Sequence, residues 1–524
     1  MNDLHRSLTD QAEALPLRPG DPVGVARRGA RRRTRRRIGG VAAATAAAVL
    51  AVTVAVRAPG DSTTVEGTDF AAQVEATPLT WHLAQPTTGL GYERTSVDHG
   101  GAVYALSTAP GPADARRPAE PALYRSADGV EWELVGLADG FRPVSLASGG
   151  DVLYASGTVP AGGRADAAVA KVGKGDPIAL PLPAPLAAVA DAHPDEVAIG
   201  TPKVAALDAE RVAAAVTVTV TPDVRALLPE VVELGLRWRP VPGGVEVAAR
   251  DAAPDERRAA GILRCEADAE AEADCGEAPW VDEVGVPEAG DAGRSDVEVP
   301  EHLLGFHAWE DLGVAPELAE ATGTHVLVYA SEDGTTFTPV EVPGTENAHG
   351  AHILAVDGTF SLVLQDDDRA AVLTSQDGAT WQPAGTVAGW AEQVGVLDGH
   401  LAVVTWEPGA GQVVRLLLAD GSTVPVDLLA GAPDGHEVVQ VALGPLGLAA
   451  LTRDPGAEQQ MGALVFTPDG RSISSISVDE HLAGSDLHLP GMLSVTADGV
   501  FLRANAVDGD PSSVAQQTVL VGTP

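Results

Sequence analysis

The sequence predicts an all-β domain of repeated antiparallel units behind a single membrane-spanning helix. Short runs of Val, Leu, Ala and Thr alternate with turns, many of them Asp-Gly, and this pattern is typical of β-hairpins. A turn motif recurs at an interval that fits a four-stranded unit. An arginine block also stands directly before residues 38–56, which contain no charged side chain.

The first element is the N-terminal segment. Residues 1–37 carry ten arginines and four acidic residues, whereas the whole chain has a formal net charge of −39. Basic segments stay on the cytoplasmic side of a membrane, and a helix over 38–56 would span roughly 29 Å, close to the apolar thickness of a bilayer. We therefore expect a cytoplasmic basic tail (1–37), a transmembrane helix (38–56), a polar linker (57–77) and an extracytoplasmic domain (78–524). The expected location is the cell membrane, single-pass, with the N-terminus in the cytoplasm.

A cleaved export signal is the main alternative for this segment. Its only small-residue exit is Val56-Arg57-Ala58, and Pro59 directly after it makes a poor cleavage site. A helix lying on the membrane surface is a further alternative, but residues 38–56 have no polar face. The anchor is the interpretation that fits the long basic flank.

Composition limits the partners. The strongly acidic chain argues against nucleic acid and anionic lipid, since both require basic surfaces. Arginine outnumbers lysine by 31 to three, which is typical of a high-GC bacterial coding bias. The short basic tail, the Ala/Val-rich span and the outer domain together resemble actinobacterial envelope proteins, some of them associated with sigma-factor regulation.

The two cysteines, Cys265 and Cys275, lie in an acidic insertion predicted at about 250–325. An even number of cysteines outside the cell predicts one disulfide. The small ring that it closes would contribute at most about 3 kcal/mol. Neither a CxxC pair nor a nearby histidine indicates a metal site there.

Two hairpins illustrate the predicted repeat. Ala351–Val356 and Thr359–Leu364 flank the turn Asp357-Gly358, and Leu401–Trp406 and Val413–Leu418 flank Gly409. The alternation of side chains and the turn chemistry both favour antiparallel pairing.

The recurring motif has the form Ser-x-Asp-Gly-x-x-Trp/Phe. Shorter copies place aspartates at 420 and 469, so that the positions 333, 377, 420 and 469 are 44, 43 and 49 residues apart. In such a turn the aspartate accepts backbone N–H bonds, glycine takes a positive φ and the aromatic ring packs between sheets, so the aspartates are expected to be structural. The fuller copies consist of Ser126, Asp128, Gly129 and Trp132; of Ser331, Asp333, Gly334 and Phe337; and of Ser375, Asp377, Gly378 and Trp381.

This motif resembles the Asp-box turn of sialidase-like, BNR-type β-propellers, although here glycine follows the aspartate directly where the family has one residue between them. The resemblance implies a β-propeller. A literal count of hairpin groups gives eight; seven blades are favoured and six to eight fit the spacing. The strand Leu79–Leu83 is expected to join the last blade and close the ring.

Enzyme signatures are weak. A sialidase needs an arginine trio, a Tyr–Glu nucleophile pair and an aspartic acid, and its Arg-Ile-Pro motif has only an out-of-order counterpart at 141–144. No Gly-x-Ser-x-Gly elbow or HExxH motif is present, and acidic residues are too numerous to single out a glycosidase pair. His349 with His352, Asp366–Asp368 and Asp508–Asp510 are weak metal candidates that strand junctions and turns explain. We predict no catalytic residue, cofactor or metal site.

The favoured hypothesis is a membrane-anchored extracytoplasmic module that binds an envelope protein or a glycan and catalyses nothing. One alternative is a transmembrane regulator whose N-terminal tail contacts a cytosolic transcription factor. The other is an extracellular glycan-acting hydrolase. A binding module predicts an exposed aromatic or apolar patch on one face, whereas an enzyme predicts converging carboxylates with perturbed pKa values.

Overall fold

A computed structural model divides the chain into two units, Met1–Asp69 and Phe70–Pro524, and all described residues belong to the second. These are residues 73–74, 79–84, 93–108, 121–161, 164–234, 236–241, 243–248, 281–282, 301–366, 369–407, 411–455, 462–478, 487–506 and 517–524. The predicted tail, transmembrane helix and disulfide lie outside them. Within the described ranges, no helix has the length and apolar character required to cross a bilayer.

Antiparallel sheets follow one another along the chain. Two strands come first: β1 (Gln73–Val74) and β2 (Thr80–Ala84). Sheet 1 contains β3 (Glu93–His99), β4 (Ala102–Thr108), β5 (Pro121–Ser126) and β6 (Glu133–Val135). Sheet 2 contains β7 (Arg142–Gly149), β8 (Val152–Ala161), β9 (Arg164–Lys171) and β10 (Lys174–Ala179), and helix α1 (Ala184–Ala192) follows it.

Sheet 3 is interrupted by an insertion. Its strands are β11 (Val197–Ile199), β12 (Lys203–Ala206), β13 (Val212–Val220), β18 (Gly323–Ser331) and β19 (Thr338–Val340). The insertion, residues 221–322, forms a small sheet of its own and short helices. These elements are α2 (Val224–Leu227), α3 (Pro229–Glu233), β14 (Arg237–Val241), β15 (Gly244–Ala248), β16 (Val281–Asp282), a 3₁₀ helix (Glu301–Leu303), β17 (Gly305–Ala308) and α4 (Pro316–Ala321).

Four further sheets complete the described part. Sheet 4 contains β20 (Gly350–Val356), β21 (Thr359–Asp366), β22 (Arg369–Ser375) and β23 (Gln382–Ala388), after a 3₁₀ helix at Thr345–Asn347. Sheet 5 contains β24 (Ala391–Leu397), β25 (His400–Glu407), β26 (Gly411–Leu417) and β27 (Thr423–Val426). After a 3₁₀ helix at Leu428–Gly431, sheet 6 contains β28 (Glu437–Gly444), β29 (Gly447–Arg453), β30 (Ala463–Thr467) and β31 (Ser472–Ser477), and β1 pairs with β31. Sheet 7 contains β32 (Leu487–Val495), β33 (Val500–Ala506), β34 (Gln517–Thr523) and β2.

The two hairpins predicted from the turn chemistry are confirmed. β20 pairs with β21 across Asp357-Gly358, whose φ angles of 45° and 74° suit a tight primed turn. β25 pairs with β26. Strand β2 pairs with β34 from Thr80↔Thr523 to Ala84↔Val519. This confirms that the strand predicted at Leu79–Leu83 joins the last sheet.

The literal count of eight hairpin groups is reduced to seven sheets outside the insertion, and a single parallel bridge, Gly411↔Val438, connects sheets 5 and 6. β13 pairs with β18 along its whole length, from Val212↔Ser331 to Val220↔Gly323, although about a hundred residues separate them. The strands at 237–248 belong to the insertion, which therefore begins at residue 221 rather than near 250.

The hydrophobic core lies between neighbouring sheets. Separate clusters of buried Val, Leu and Ala fill each interface, as between sheets 3 and 4 or sheets 5 and 6. Sheet 7 in turn contacts sheet 1, where Phe501 packs against Val130. The arrangement is all-β and β-propeller-like. Because the core fills the space between the sheets, a functional site is expected at the edges of the sheets.

Candidate functional site

Tight turns gather at one end of the sheets. Because strands alternate in direction, the first-to-second and third-to-fourth connections of a sheet share one end, and the second-to-third connection lies at the other. Contacts between neighbouring sheets place these ends together: the N–H of Ala497 donates to Oδ2 of Asp98 at 3.1 Å, and Nδ1 of His99 lies 3.0 Å from Oγ of Ser148. We call this end the turn face and the opposite end the loop face.

The motif turns all lie on the turn face, between the third and fourth strands of their sheets. In the first, Oδ1 of Asp128 accepts from the N–H groups of Val130 and Glu131, both at 2.9 Å, and the N–H of Gly129 donates to Oγ of Ser126 at 2.8 Å. Burial raises the pKa of Asp128, but these N–H groups outweigh it and hold the pKa below its usual value.

The later copies repeat this geometry. Oδ1 of Asp333 accepts from the N–H groups of Thr335 and Thr336 at 2.7 and 2.6 Å, which hold its pKa far below the usual value. The equivalent bonds to Asp377, from Thr380 and Ala379, lower its pKa to about 2. Asp469 closes the same turn in sheet 6, and Asp420 a reduced form in sheet 5.

The aromatic residue of each motif is buried between sheets. Phe337 belongs to the core between sheets 2 and 3, and Trp381 to the core between sheets 3 and 4. Trp132 stacks under the guanidinium of Arg503 from sheet 7, with Cζ 5.3 Å from the ring centre. A Cβ at Gly334 would collide with the Tyr154 hydroxyl, so this position requires glycine by contact as well as by its φ of 64°. These groups join sheets, and they form no pocket for a ligand.

A polar cluster where sheets 7, 1 and 2 meet on the turn face has the residue types of a hydrolase. Burial raises the pKa of Asp98, with the nearby Asp498 adding to it, while the N–H of Ala497 opposes both. The imidazole of His99 reaches the Ser148 hydroxyl. Asp98 and Ser148 each bond a neighbouring sheet, so the cluster links sheets 7, 1 and 2.

The loop face carries the long connections. Helix α1 lies there because it follows β10, the fourth strand of sheet 2. The 221–322 insertion lies there because it follows β13, whose end is on the loop face. Arg164 bonds Asp166 at 2.8 Å and Asp191 of α1 at 3.1 Å. His193, just after α1, lies 3.9 Å from Glu317 of the insertion. The Arg164 pairs hold α1 against β9, and His193 brings the end of this connection next to the insertion.

Further along the loop face, side chains of sheet 4 hold the first residue of sheet 5. The N–H of Ala391 donates to Oε1 of Gln365 at 2.7 Å, and Nε2 of His352 donates to the carbonyl oxygen of Ala391 at 3.2 Å. Gln365 is buried, and its Nε2 donates to the carbonyls of Asp366 and Arg369. The backbone at residue 391 is therefore fixed on both sides.

His352 is held neutral. Burial, followed by the charge of Lys203 on β12, lowers its pKa to about 4, and burial also lowers the pKa of Lys203. Since a carbonyl oxygen only accepts, the ring proton is on Nε2. His349 is the other histidine of the metal candidate considered from the sequence. Its backbone N–H donates to the carbonyl oxygen of Gln365. Among the described residues no group of three His, Cys, Asp or Glu side chains could hold a metal.

Two exposed tryptophans lie at the same end of sheet 5 as Ala391. Trp390 precedes Ala391 and is 48% exposed, and Trp406, on β25, is 54% exposed. Ala391 pairs with Thr405, and Trp390 and Trp406 are the chain neighbours of these two residues at the same end of sheet 5. Trp406 in turn pairs with Gln412 on β26. We call Trp390, Trp406 and Gln412 the tryptophan row.

Sequence reasoning missed the tryptophan row and His352's supporting role. The available signal was that each tryptophan stands at a strand end beside a loop former, in Gly389-Trp390 and in Trp406-Glu407-Pro408. Other predicted candidates, namely Cys265, Cys275, Asp367, Asp368, Asp508 and Asp510, lie outside the described residues.

No family model matches the chain, and a comparison with curated proteins finds no match. Among solved structures, acylaminoacyl peptidase of Pyrococcus horikoshii matches with a TM-score of 0.39 and 9% identity over 79% of this chain; the match spans about half of the peptidase, 49%. A catalytically inactive virginiamycin B lyase from Staphylococcus aureus with quinupristin gives a TM-score of 0.33 at 7% identity, covering 84% of this chain and 99% of the lyase. The β-propeller domain of the Trilobed protease from Pyrococcus furiosus gives 0.28 at 8% identity, covering 72% and 93%.

Proposed function

We propose that this protein is a seven-bladed β-propeller of the Asp-box type that binds a component of the cell envelope through its loop face. The observation that carries the proposal is the exposed tryptophan pair on that face, because exposed aromatic side chains on a rigid sheet mark binding surfaces. The loop face also holds the insertion and the long connections, whereas the turn face is occupied by bonds that join the sheets.

The binding role is non-catalytic in this proposal. The carboxylates of the motif turns accept backbone N–H bonds and have lowered pKa values, which suits turn stabilisation and not proton transfer. The acidic charge of the chain argues against nucleic acid as the partner. Residues 38–56 would anchor the module, with residues 1–37 in the cytoplasm.

A steric-blocking experiment tests which face binds. Asp434→Cys places a thiol on the loop face, between sheets 5 and 6, and Asp151→Cys places one on the turn face, between β7 and β8. Both are made with Cys265 and Cys275 replaced by serine and are labelled with a bulky polyethylene-glycol maleimide. We expect the loop-face label to abolish binding to isolated cell-envelope fragments and the turn-face label to leave it intact. The reverse result, or no binding by the unlabelled protein, would contradict the proposal.

The same variants test location. A maleimide that does not cross membranes should label Asp434→Cys in intact cells if the main domain is outside. Labelling only after lysis would exclude an extracytoplasmic domain.

A further inference from the structure

The tryptophan row has the geometry of a flat binding platform. The described part of the chain exposes six large apolar side chains, and two of them, Trp390 and Trp406, adjoin the Ala391–Thr405 pair at the loop-face end of sheet 5. The others stand elsewhere: Leu83, Leu134, Phe306 and Leu429.

The platform is held rigidly. Ala391, next to Trp390, is bonded through its N–H by Gln365 and through its carbonyl by His352. Trp406 lies in β25, which is paired on both sides. A tryptophan has only two side-chain torsions to fix, so on such a backbone little conformational freedom remains to be lost when a ligand binds.

The polar groups beside the platform are acceptors. Nε2 of Gln412 donates to Oε2 of Glu392 at 2.8 Å, which leaves Oε1 of Gln412 buried without a donor among the described residues. Glu392 is the extra residue of a β-bulge between Ala391 and Gln393, and its side chain is exposed. Because Oε1 of Gln412 is buried, Glu392 is the acceptor that a ligand at the tryptophans can reach, and it calls for a ligand that brings its own hydrogen-bond donors.

This chemistry selects among ligands that stack on aromatic rings. An anionic chain is disfavoured by Glu392 and by the net charge of −39. A polyproline segment offers carbonyl acceptors and no N–H donors at its prolines, so it cannot serve the acceptors here. A sugar ring presents apolar C–H faces to the tryptophans and hydroxyl donors to the exposed carboxylate of Glu392.

We propose that Trp390 and Trp406 stack on adjacent rings of a neutral polysaccharide, with the exposed carboxylate of Glu392 accepting from its hydroxyl groups. The inference rests on the proposed binding role of the loop face and names the ligand class for it. The cell envelope, which the acidic outer domain would face, would supply this polysaccharide.

The test uses the full-length protein in detergent micelles and immobilised cell-envelope fragments. One portion of fragments is digested with proteinase, and another is oxidised with periodate, which cleaves the vicinal diols of sugars. We expect binding to survive proteinase and to fall at least tenfold after periodate. Trp390→Ala and Trp406→Ala should each weaken binding about tenfold, as expected for losing one aromatic anchor, while Trp406→Phe should retain most of it.

Leu134→Ala is the matched control, because Leu134 is a more exposed apolar side chain on a different sheet. Unfolding midpoints in urea should be unchanged for the alanine variants, since both tryptophans lie at the surface. Binding that is lost with proteinase and kept after periodate would overturn the saccharide while leaving the binding module intact. Binding unaffected by both tryptophan variants would overturn the platform, and no binding to any fragment would overturn the proposed function itself.

Discussion

Gln365 and Ala391 join sheets 4 and 5, whose strands do not pair with each other: the N–H of Ala391 donates to Oε1 of Gln365 at 2.7 Å. The same amide side chain bonds the carbonyls of Asp366 and Arg369, so one buried residue of β21 organises both the loop of sheet 4 and the start of sheet 5.

Gln365→Leu should therefore be costly. It removes the partners of three backbone groups, and buried groups left unpaired cost about 1–3 kcal/mol each, partly relieved by water. We expect the free energy of unfolding, measured in urea, to fall by about 2–4 kcal/mol. Gln382→Leu, an exposed glutamine on β23, is the matched control and should change it by less than about 0.5 kcal/mol. Equal effects of the two substitutions would show that the Gln365 bonds contribute nothing.

His352 makes stability depend on pH in a defined window. Its folded pKa of about 4 lies below the usual 6.5, so the unfolded chain binds the proton more readily than the folded one between these values. Stability is fully present above pH 6.5 and is lost as pH falls towards 4, by roughly 3 kcal/mol in all. His352→Leu should flatten this part of the urea-midpoint profile. A profile unchanged by the substitution would contradict the assignment.

The motif turns predict a second, more acidic window. The N–H groups of Thr380 and Ala379 lower the pKa of Asp377 to about 2, so its contribution is present above the ordinary pKa near 4 and is lost as pH falls towards 2. Asp377→Asn should lower stability at neutral pH by about 1 kcal/mol, a modest value because the carboxylate is solvent-screened. Asp139→Asn, in an exposed turn before β7, provides the comparison. A similar loss from both would mean that the motif bonds are immaterial.

A buried ion pair stabilises the insertion. Nε and Nη2 of Arg239 on β14 both lie 2.8 Å from Oε2 of Glu246 on β15, with the two side chains 4% and 6% exposed. Glu246→Ala leaves a buried guanidinium without its carboxylate, and such changes cost about 3–5 kcal/mol. We expect faster hydrogen exchange of the β14 and β15 amides and no change in sheets 5 and 6. Replacing both residues, Arg239→Met with Glu246→Leu, should restore much of the protection; failure of the single substitution to raise exchange would refute the pair's role.

Local chemistry was readable from the sequence, and long-range pairing was not. Asp357-Gly358 and the motif aspartates act within a few residues, so turn rules suffice to place them. The pairing of Val212 with Ser331 crosses the whole insertion, and neither strand carries a signal that names its partner. This is why one sheet was counted as two.

The tryptophan row escaped prediction for a related reason. The alternation of residues places Trp406 near the end of a strand, but it does not show that the neighbouring strand begins directly after Trp390 at the same end of the sheet. Their exposure depends on sheet order and on the bulge at Glu392, which only the folded backbone defines.

The pairing of β2 with β34 also sets an order of events during synthesis. The strand at 80–84 leaves the ribosome early, whereas its partner at 517–523 is made roughly 430 residues later, about 20–90 s at ordinary elongation rates. Sheets 1 to 6 can assemble in that interval, but the seventh cannot be completed until residues 517–523 have been made. The nascent chain therefore carries β2 without its partner strand up to that point, and sheet 7 is the last of the seven to be completed.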